Sequence, residues 1–419
     1  MAKKLLGWYD VANIIVTLLG LLLFDLPIHV LSHPFRRVDD KRLLLKDQIF
    51  LFTIRRTNYL LTPAALRYVT NIGLPESVLD SRRYKPYSHA LFQEFVHPDA
   101  TFRGRRVIQG SFTQPSVPAE SDIVILYLHG GGYFSSSTDC YLLFLLRLAE
   151  TIVRGGKTVS IFALEYDLAP EHVFPTQLRQ AGAAYRWLVR PGSEGGVGVQ
   201  PGRLLLGGDS AGGHLSLSLL VDLQQPYASA ELDRRTAVNG TKHSIKPGLG
   251  LFMISPWLSL WHEATSFPKN ECTDVLSRKF LLKVAGWFLG PERLKEWPPR
   301  SPYLEFLDPK PMIDWQGVLP AWVWVSAGKN EILYDDVKDW LETRKKDCRN
   351  GHVEEEIDLN ESHVYAWLKT TEPGPKKEFL RRMYNNEEGE NISEDDYKAI
   401  ERIGKAILRR YKNVYGGSS

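Results

Sequence analysis

The stretch LLLGGDSAGGHL, residues 204–215, sets one serine, Ser210, between two pairs of glycines just where an apolar run stops. Arg203–Gly207 reads as a short buried strand and Ala211–Leu223 as a helix. Glycine at 208 and 212 permits strained backbone and close approach of a neighbouring chain segment. A serine on the tight turn between strand and helix is pushed out of the backbone, its hydroxyl exposed at the sheet edge. That is the G-x-S-x-G arrangement, here Gly208-Asp209-Ser210-Ala211-Gly212. The same residues would also suit a glycine-rich turn that binds phosphate or only reverses direction, so the flanking sequence has to decide.

Working outward, apolar runs alternate with helical patterns. Asp122–Leu128, Thr158–Leu164, Gly250–Ser255, Ala321–Ser326 and Val353–Leu359 read as strands. Tyr141–Val153 and Gln177–Val189 read as helices between them, and Leu91–Val96 and Arg106–Phe112 as earlier strands. Near-continuous apolar strands alternating with helices predict an α/β chain on a mostly parallel sheet covered on both faces. Residues 257–319 form a Trp- and Pro-rich insertion with a helix signal at Arg278–Phe288, suited to capping a site. The expected division is 1–35 as an apolar N-terminal segment, 36–115 as a helical and cap region, 116–372 as the core, and 373–419 as a tail. In the tail, Ser393–Asp396 resembles a capping box ahead of Tyr397, Ile400, Ile403, Ile407, Leu408 and Tyr411, one face of a docked helix.

Acyl chemistry at a serine needs donors for the oxyanion that forms, and HGGGY at 129–133 follows the first parallel strand. Glycines without side chains let backbone N–H groups point into a cavity. The expected donors are Gly131, Gly132 and Ala211. A phosphate loop would instead want Lys-Ser or Lys-Thr after the glycines, and neither follows. The serine also needs a base, and the base an orienting carboxylate, both on loops after later strands. AGKNEILYDD at 327–336 offers Glu331, with Asp335 and Asp336 falling inside the next helix; NESHVYAW at 360–367 offers His363. Ser210, Glu331 and His363 are therefore the candidate catalytic residues. Tyr133, His214 and Trp257 are candidates for the substrate pocket, and His129 reads as structural.

Taken with EYDLAPEHVFP at 165–175, the HGGG and GDSAGG segments resemble the hormone-sensitive lipase group of α/β-hydrolases. That group's D-Y-R-L-A-P-E segment is matched with Asp167 in place of arginine, and its G-x-x-D-x-L-x-D acid loop with Glu331 in place of aspartate. PTQLRQ at 175–180, ISPWLSL at 254–260 and the apolar N-terminus are similar to fungal steryl acetyl hydrolases. The resemblance covers about residues 121–368. It implies an α/β-hydrolase fold with a helical cap, hydrolysis of an uncharged ester such as the acetate of a sterol-like alcohol, and attachment to the endoplasmic reticulum membrane. Two rivals share the fold: a tailoring hydrolase or cyclase of secondary metabolism, and a non-catalytic small-molecule receptor. Receptors of this kind go with loss of a triad member, and here all three are present.

The composition agrees with an ordinary globular protein: 419 residues, 43% hydrophobic and 24% charged, with a net charge of +3. The basic clusters RGRR at 103–106 and RKKDCR at 344–349 are short, so no nucleic-acid partner is expected. Cys140, Cys272 and Cys348 are widely spaced and odd in number, a pattern of reduced structural thiols; no metal and no cofactor are expected. Ile14–Phe24 is an apolar run flanked by Trp8-Tyr9 and by basic residues, and it is read as a membrane anchor, spanning or shallow. Sequons stand at Asn239, Asn360 and Asn391.

Overall fold

The computed structural model of the chain describes residues 6–32, 45–70, 75–227, 246–261, 264–295, 300–307, 312–347, 352–358, 363 and 398–416. Eight strands form its sheet: β1 Gln93–Val96, β2 Arg103–Ile108, β3 Ile123–Leu128, β4 Val159–Leu164, β5 Leu204–Asp209, β6 Gly250–Ile254, β7 Trp322–Gly328 and β8 His352–Asp358. Their order is β1-β2-β4-β3-β5-β6-β7-β8. β4, β3, β5, β6, β7 and β8 run parallel, and β1 and β2 add an antiparallel edge.

Alternation within a strand explains why the central strands are almost wholly apolar. In β3, Val124, Leu126 and Leu128 enter one hydrophobic core, while Ile123, Ile125 and Tyr127 enter the other. Period-two side chains that must be apolar on both faces leave no polar position. The N-terminal part supplies α1 Trp8–Ser32, α2 Leu45–Leu60, α3 Pro63–Thr70 and α4 Pro75–Leu79. Helices α5 Thr138–Arg154, α6 Thr176–Val189 and α7 Ala211–Gln224 follow strands β3, β4 and β5. The cap adds α8 Ser266–Asn270 and α9 Arg278–Leu294, the latter kinked where Gly290 takes φ 74° ahead of Pro291. Short α10 Trp315–Val318, then α11 Tyr334–Asp347 and α12 Lys398–Tyr415, complete the described helices.

One expectation shifts. The strand looked for at Arg106–Phe112 is Arg103–Ile108: pairing with β4 begins at Gly104, shifts register between Arg106 and Ile108, and has Ile108 opposite Ile161 as its last pair. Its basic residues find partners beside the sheet: Arg103 pairs with Asp167 at 2.8 Å, and Arg106 lies over the Phe95 ring at 4.4 Å. The docked C-terminal helix is present as α12, whose Ile400, Ile403 and Ile407 are buried against α5 and the sheet. Its expected capping segment at 393–396, the three sequons and Cys348 lie outside the described residues.

Candidate active site

β5 and β6 lie side by side near the middle of the sheet, and the chain turns sharply at the C-terminal end of β5. Ser210, between β5 and α7, holds φ 48° and ψ −117°. Such backbone costs a non-glycine residue on the order of 1–3 kcal/mol. Three backbone hydrogen bonds hold it: Ser210 N–H to the Ile254 carbonyl at 2.9 Å, and the Ser210 carbonyl to the N–H groups of Trp257 (3.0 Å) and His214 (3.1 Å). At roughly 0.5–1.5 kcal/mol each, they are enough to offset the strain. The glycine pairs now have their reason. A Cβ on Gly208 would stand 2.5 Å from the Gly212 backbone, and one on Gly212 would strike the Leu128 carbonyl. Strand, turn and helix are packed too closely for any side chain there.

The Ser210 hydroxyl lies 2.9 Å from His363 Nε2, and His363 Nδ1 lies 3.0 Å from Glu331 Oε2. The second carboxylate oxygen, Oε1, accepts the Gly328 N–H at 3.2 Å, which fixes the carboxylate at the end of β7. Glu331 is fully buried and the His363 side chain is 6% exposed. Burial alone would lower the imidazole's pKa. The hydrogen bond it gives to Glu331 and the negative charges of Glu331, Asp274 and Asp209 together outweigh burial, and the pKa is raised above the ordinary 6.5. Asp336 is instead buried within α11, and Asp335 accepts the Thr265 hydroxyl at 2.5 Å.

Two features of the site had no signal in local sequence. The first is a cap segment laid on the Glu331 loop. Asn270 Nδ2 donates to the carbonyls of Lys329 and Glu331 at 3.0 and 2.9 Å, and the Thr273 hydroxyl donates to that of Asn330 at 3.2 Å. Asp274, fully buried, accepts the Ile332 N–H at 2.7 Å on one oxygen and the Leu276 N–H at 3.1 Å on the other. Burial pushes its carboxyl up to about 6, against the pull of His363 and these two N–H groups. The second is Asp209, beside the nucleophile. It accepts from Tyr127 (2.8 Å), Tyr141 (2.8 Å) and the Gly130 N–H (2.9 Å), so it ties the glycine loop to the elbow.

In that loop Gly131 and Gly132 take φ 98° and 59°, and a Cβ on Gly132 would press on Val284 of α9 at 2.9 Å. Among the described residues, the N–H groups of Gly131, Gly132 and Ala211 are given to no protein acceptor. They sit on the turn after β3 and at the first position of α7, the two turns that flank Ser210. His129 is buried and stacked on Tyr166, ring centres 4.1 Å apart.

The expected pocket residues are placed differently. Tyr133, His214 and Trp257 are fully buried to within 1% of their surface. His214 is held on both nitrogens, by the Tyr133 hydroxyl at 2.6 Å and the Leu304 carbonyl at 3.0 Å. Burial pushes its pKa down to about 4, so it is neutral at physiological pH. Tyr133 stacks face to face on Phe288 of the cap at 3.8 Å. The trio joins the cap to the elbow and presents no open face. Nor do the cap tryptophans form one patch: Trp287 packs on Phe134, while Trp315 packs on Phe306 and Trp340. Trp297 lies outside the described residues.

This doubly covered parallel sheet with a serine elbow after β5 is the architecture of the α/β-hydrolases. The profile of the alpha/beta hydrolase fold family matches residues 125–366, more than half of the chain, and the chain belongs to that family. It is 29% identical over 266 residues to an acetyl-hydrolase of Streptomyces hygroscopicus, a match covering 61% of this chain and 73% of that protein. It is 32% identical over 172 residues to the arylacetamide deacetylase of Bos taurus, covering 40% of this chain and 38% of that one. Among solved structures, an esterase from the bacterial hormone-sensitive lipase family superposes with a TM-score of 0.56 at 23% identity, over 88% of this chain and 99% of that chain.

Proposed function

We propose that the protein is a serine carboxylic-ester hydrolase of hormone-sensitive lipase type, acting on an uncharged hydrophobic ester with a short acyl group. The observation that carries this reading is the unbroken hydrogen-bond chain from Ser210 through His363 to Glu331. In it, His363 Nε2 takes the hydroxyl proton as Ser210 Oγ attacks the acyl carbon. Glu331 holds the imidazole in its working tautomer and stabilises the imidazolium. The N–H groups of Gly131, Gly132 and Ala211 receive the oxyanion, and each such donor is typically worth about 10²–10³ in rate. The imidazolium returns the proton to the leaving alcohol. Water then attacks the acyl-enzyme through the same base, regenerating Ser210 and releasing the acid.

Acetyl transfer to water is favoured within this class by the acetyl-hydrolase and deacetylase names of two relatives. A sterol-like alcohol follows from the resemblance of ISPWLSL and PTQLRQ. Membrane association, at the endoplasmic reticulum in this reading, is supported by α1, of whose apolar stretch only 11% is buried. Residues 1–35 would then serve as the membrane segment, 116–372 as the catalytic core, and about 257–319 as its cap.

Detergent-solubilised protein assayed on p-nitrophenyl esters of rising acyl length, beside Ser210→Ala, tests the reading. The wild type is expected to prefer acetate, and the variant to lose about 10⁶ in kcat. A variant as active as the wild type, or a wild type that binds esters without turning them over, would sink it. Sterol acetate against free acetate esters of small alcohols then tests the leaving group.

A further inference from the structure

At 25 residues, α1 is about 37 Å long, enough to cross roughly 30 Å of hydrocarbon. Its contacts point to another placement. Near its start, Asp10 accepts the Thr62 hydroxyl at 2.7 Å, and Asn13 both donates to the Leu60 carbonyl (3.2 Å) and accepts the Thr62 N–H (2.9 Å). Near its end, Asp25 pairs with Arg56 of α2 at 2.9 Å, and His29 stacks on Phe52 with ring centres 4.0 Å apart. Between these ties Thr17 and Leu21 are buried, and Ile14 packs against the core. From Asp10 to His29 the helix axis runs about 28 Å. A helix that crossed a bilayer would leave the rest of the chain after its first turns; this one is tied to the Leu60–Thr62 turn near its start and, near its end, to α2, a helix that carries Gln48, Arg55, Arg56 and Asn58.

Its other side is bare and aliphatic. Ile15, Val16, Leu18, Leu19, Leu22 and Leu23 are 49–68% exposed, whereas Thr17 and Leu21 among them are buried. Trp8 and Tyr9, 83% and 61% exposed, stand at one end, where amphipathic rings suit a lipid–water boundary. Lys3 and Lys4 precede the helix, and Arg36, Arg37, Lys41 and Arg42 follow it. The sequence on each side of the helix is net basic even with Asp39 and Asp40 counted, which suits an anionic headgroup layer. An ion pair such as Asp25–Arg56 is also far less costly at headgroup depth than in hydrocarbon.

We propose that α1 lies in the plane of one leaflet, its leucine face in the lipid, so that the residues before Trp8 and the catalytic body are on the same side of the membrane. This rests on the membrane association proposed above, and its test is separate from that of the esterase. The full chain carries one epitope before Met1 and another after Ser419, is inserted into sealed microsomes, and is treated with protease without detergent. Both epitopes are expected to share one fate, cleaved together or protected together. One lost while the other survives means a spanning helix and overturns the proposal. In parallel, Leu19→Glu/Leu22→Glu/Leu23→Glu is compared with wild type for co-sedimentation with phosphatidylcholine–phosphatidylserine vesicles. Binding should fall at least about tenfold, with hydrolysis of a soluble ester unchanged. Equal sedimentation, or a wild type that ignores vesicles, removes the lipid as the occupant of this face. Same-side epitopes in a protein without ester turnover would sink the esterase alone.

Discussion

At the scale of single residues, the sign of the His363 shift has a kinetic consequence. A general base must be neutral to act, and this imidazole is raised above 6.5 mainly because Glu331, with Asp274 and Asp209 behind it, outweighs burial. The acid limb of kcat/KM should therefore lie above the ordinary imidazole value, activity falling as pH drops through it. A limb at or below 6.5 would contradict this. Asp274 gives a sharper check. Asparagine at 274 has one acceptor oxygen for two N–H groups, and it removes a negative charge near His363. Asp274→Asn should lower kcat about tenfold or more with KM nearly constant, and move the acid limb to lower pH. An unchanged limb would mean that Asp274 only braces the fold. Ser210, Glu331 and His363 were legible in the sequence because each sits in a local motif whose neighbours explain it. Asp274 was not, since its role depends on where the cap folds back and nothing adjacent to it marks that return.

At the scale of elements, legibility followed burial. β3 to β7 could be read directly, since a strand covered on both faces admits only apolar residues. β2 could be placed only approximately: it lies between β1 and β4 at the antiparallel end of the sheet, and its arginines are satisfied by carboxylates and ring faces, so its periodicity carries no hydrophobic signal. The cap contains a comparable hidden contact. Glu305, in an isolated bridge with Ser259, accepts the Leu260 N–H at 2.8 Å, and burial pushes its carboxyl from 4.5 up to about 8. A raised folded pKa means that the stability it confers is complete below about 4.5 and is lost progressively as pH rises from there through about 8. Glu305→Gln keeps the group neutral throughout. Its Tm should gain on that of the wild type between pH 5 and pH 8, and a constant difference over that range would show that Glu305 ionises without cost.

At the scale of the whole molecule, α1, the cap and the body meet at one turn. Lys283 of α9 donates to the carbonyls of Tyr59 and Leu61 at 2.5 and 3.0 Å, beside the Leu60–Thr62 segment that holds Asp10 and Asn13. α1 is therefore joined to the cap through hydrogen bonds at a single turn, Tyr59–Thr62. Sequence alone signalled an apolar segment but not its posture, because both postures need the same leucines. What separates them is the partners of the few polar residues within the run.

The position of α12 bears on how the chain is made. It follows His363 in the sequence, yet its Ile400, Ile403 and Ile407 seal the face formed by α5 and the sheet, and a Cβ on Gly404 would stand 2.6 Å from Thr151. Until the ribosome has released that helix, the apolar surface beneath it stays open to water, at roughly 1.5–3 kcal/mol for each large side chain left unburied. The nascent hydrolase can thus assemble its elbow and glycine loop early, but it cannot close its core before residues beyond 398 emerge.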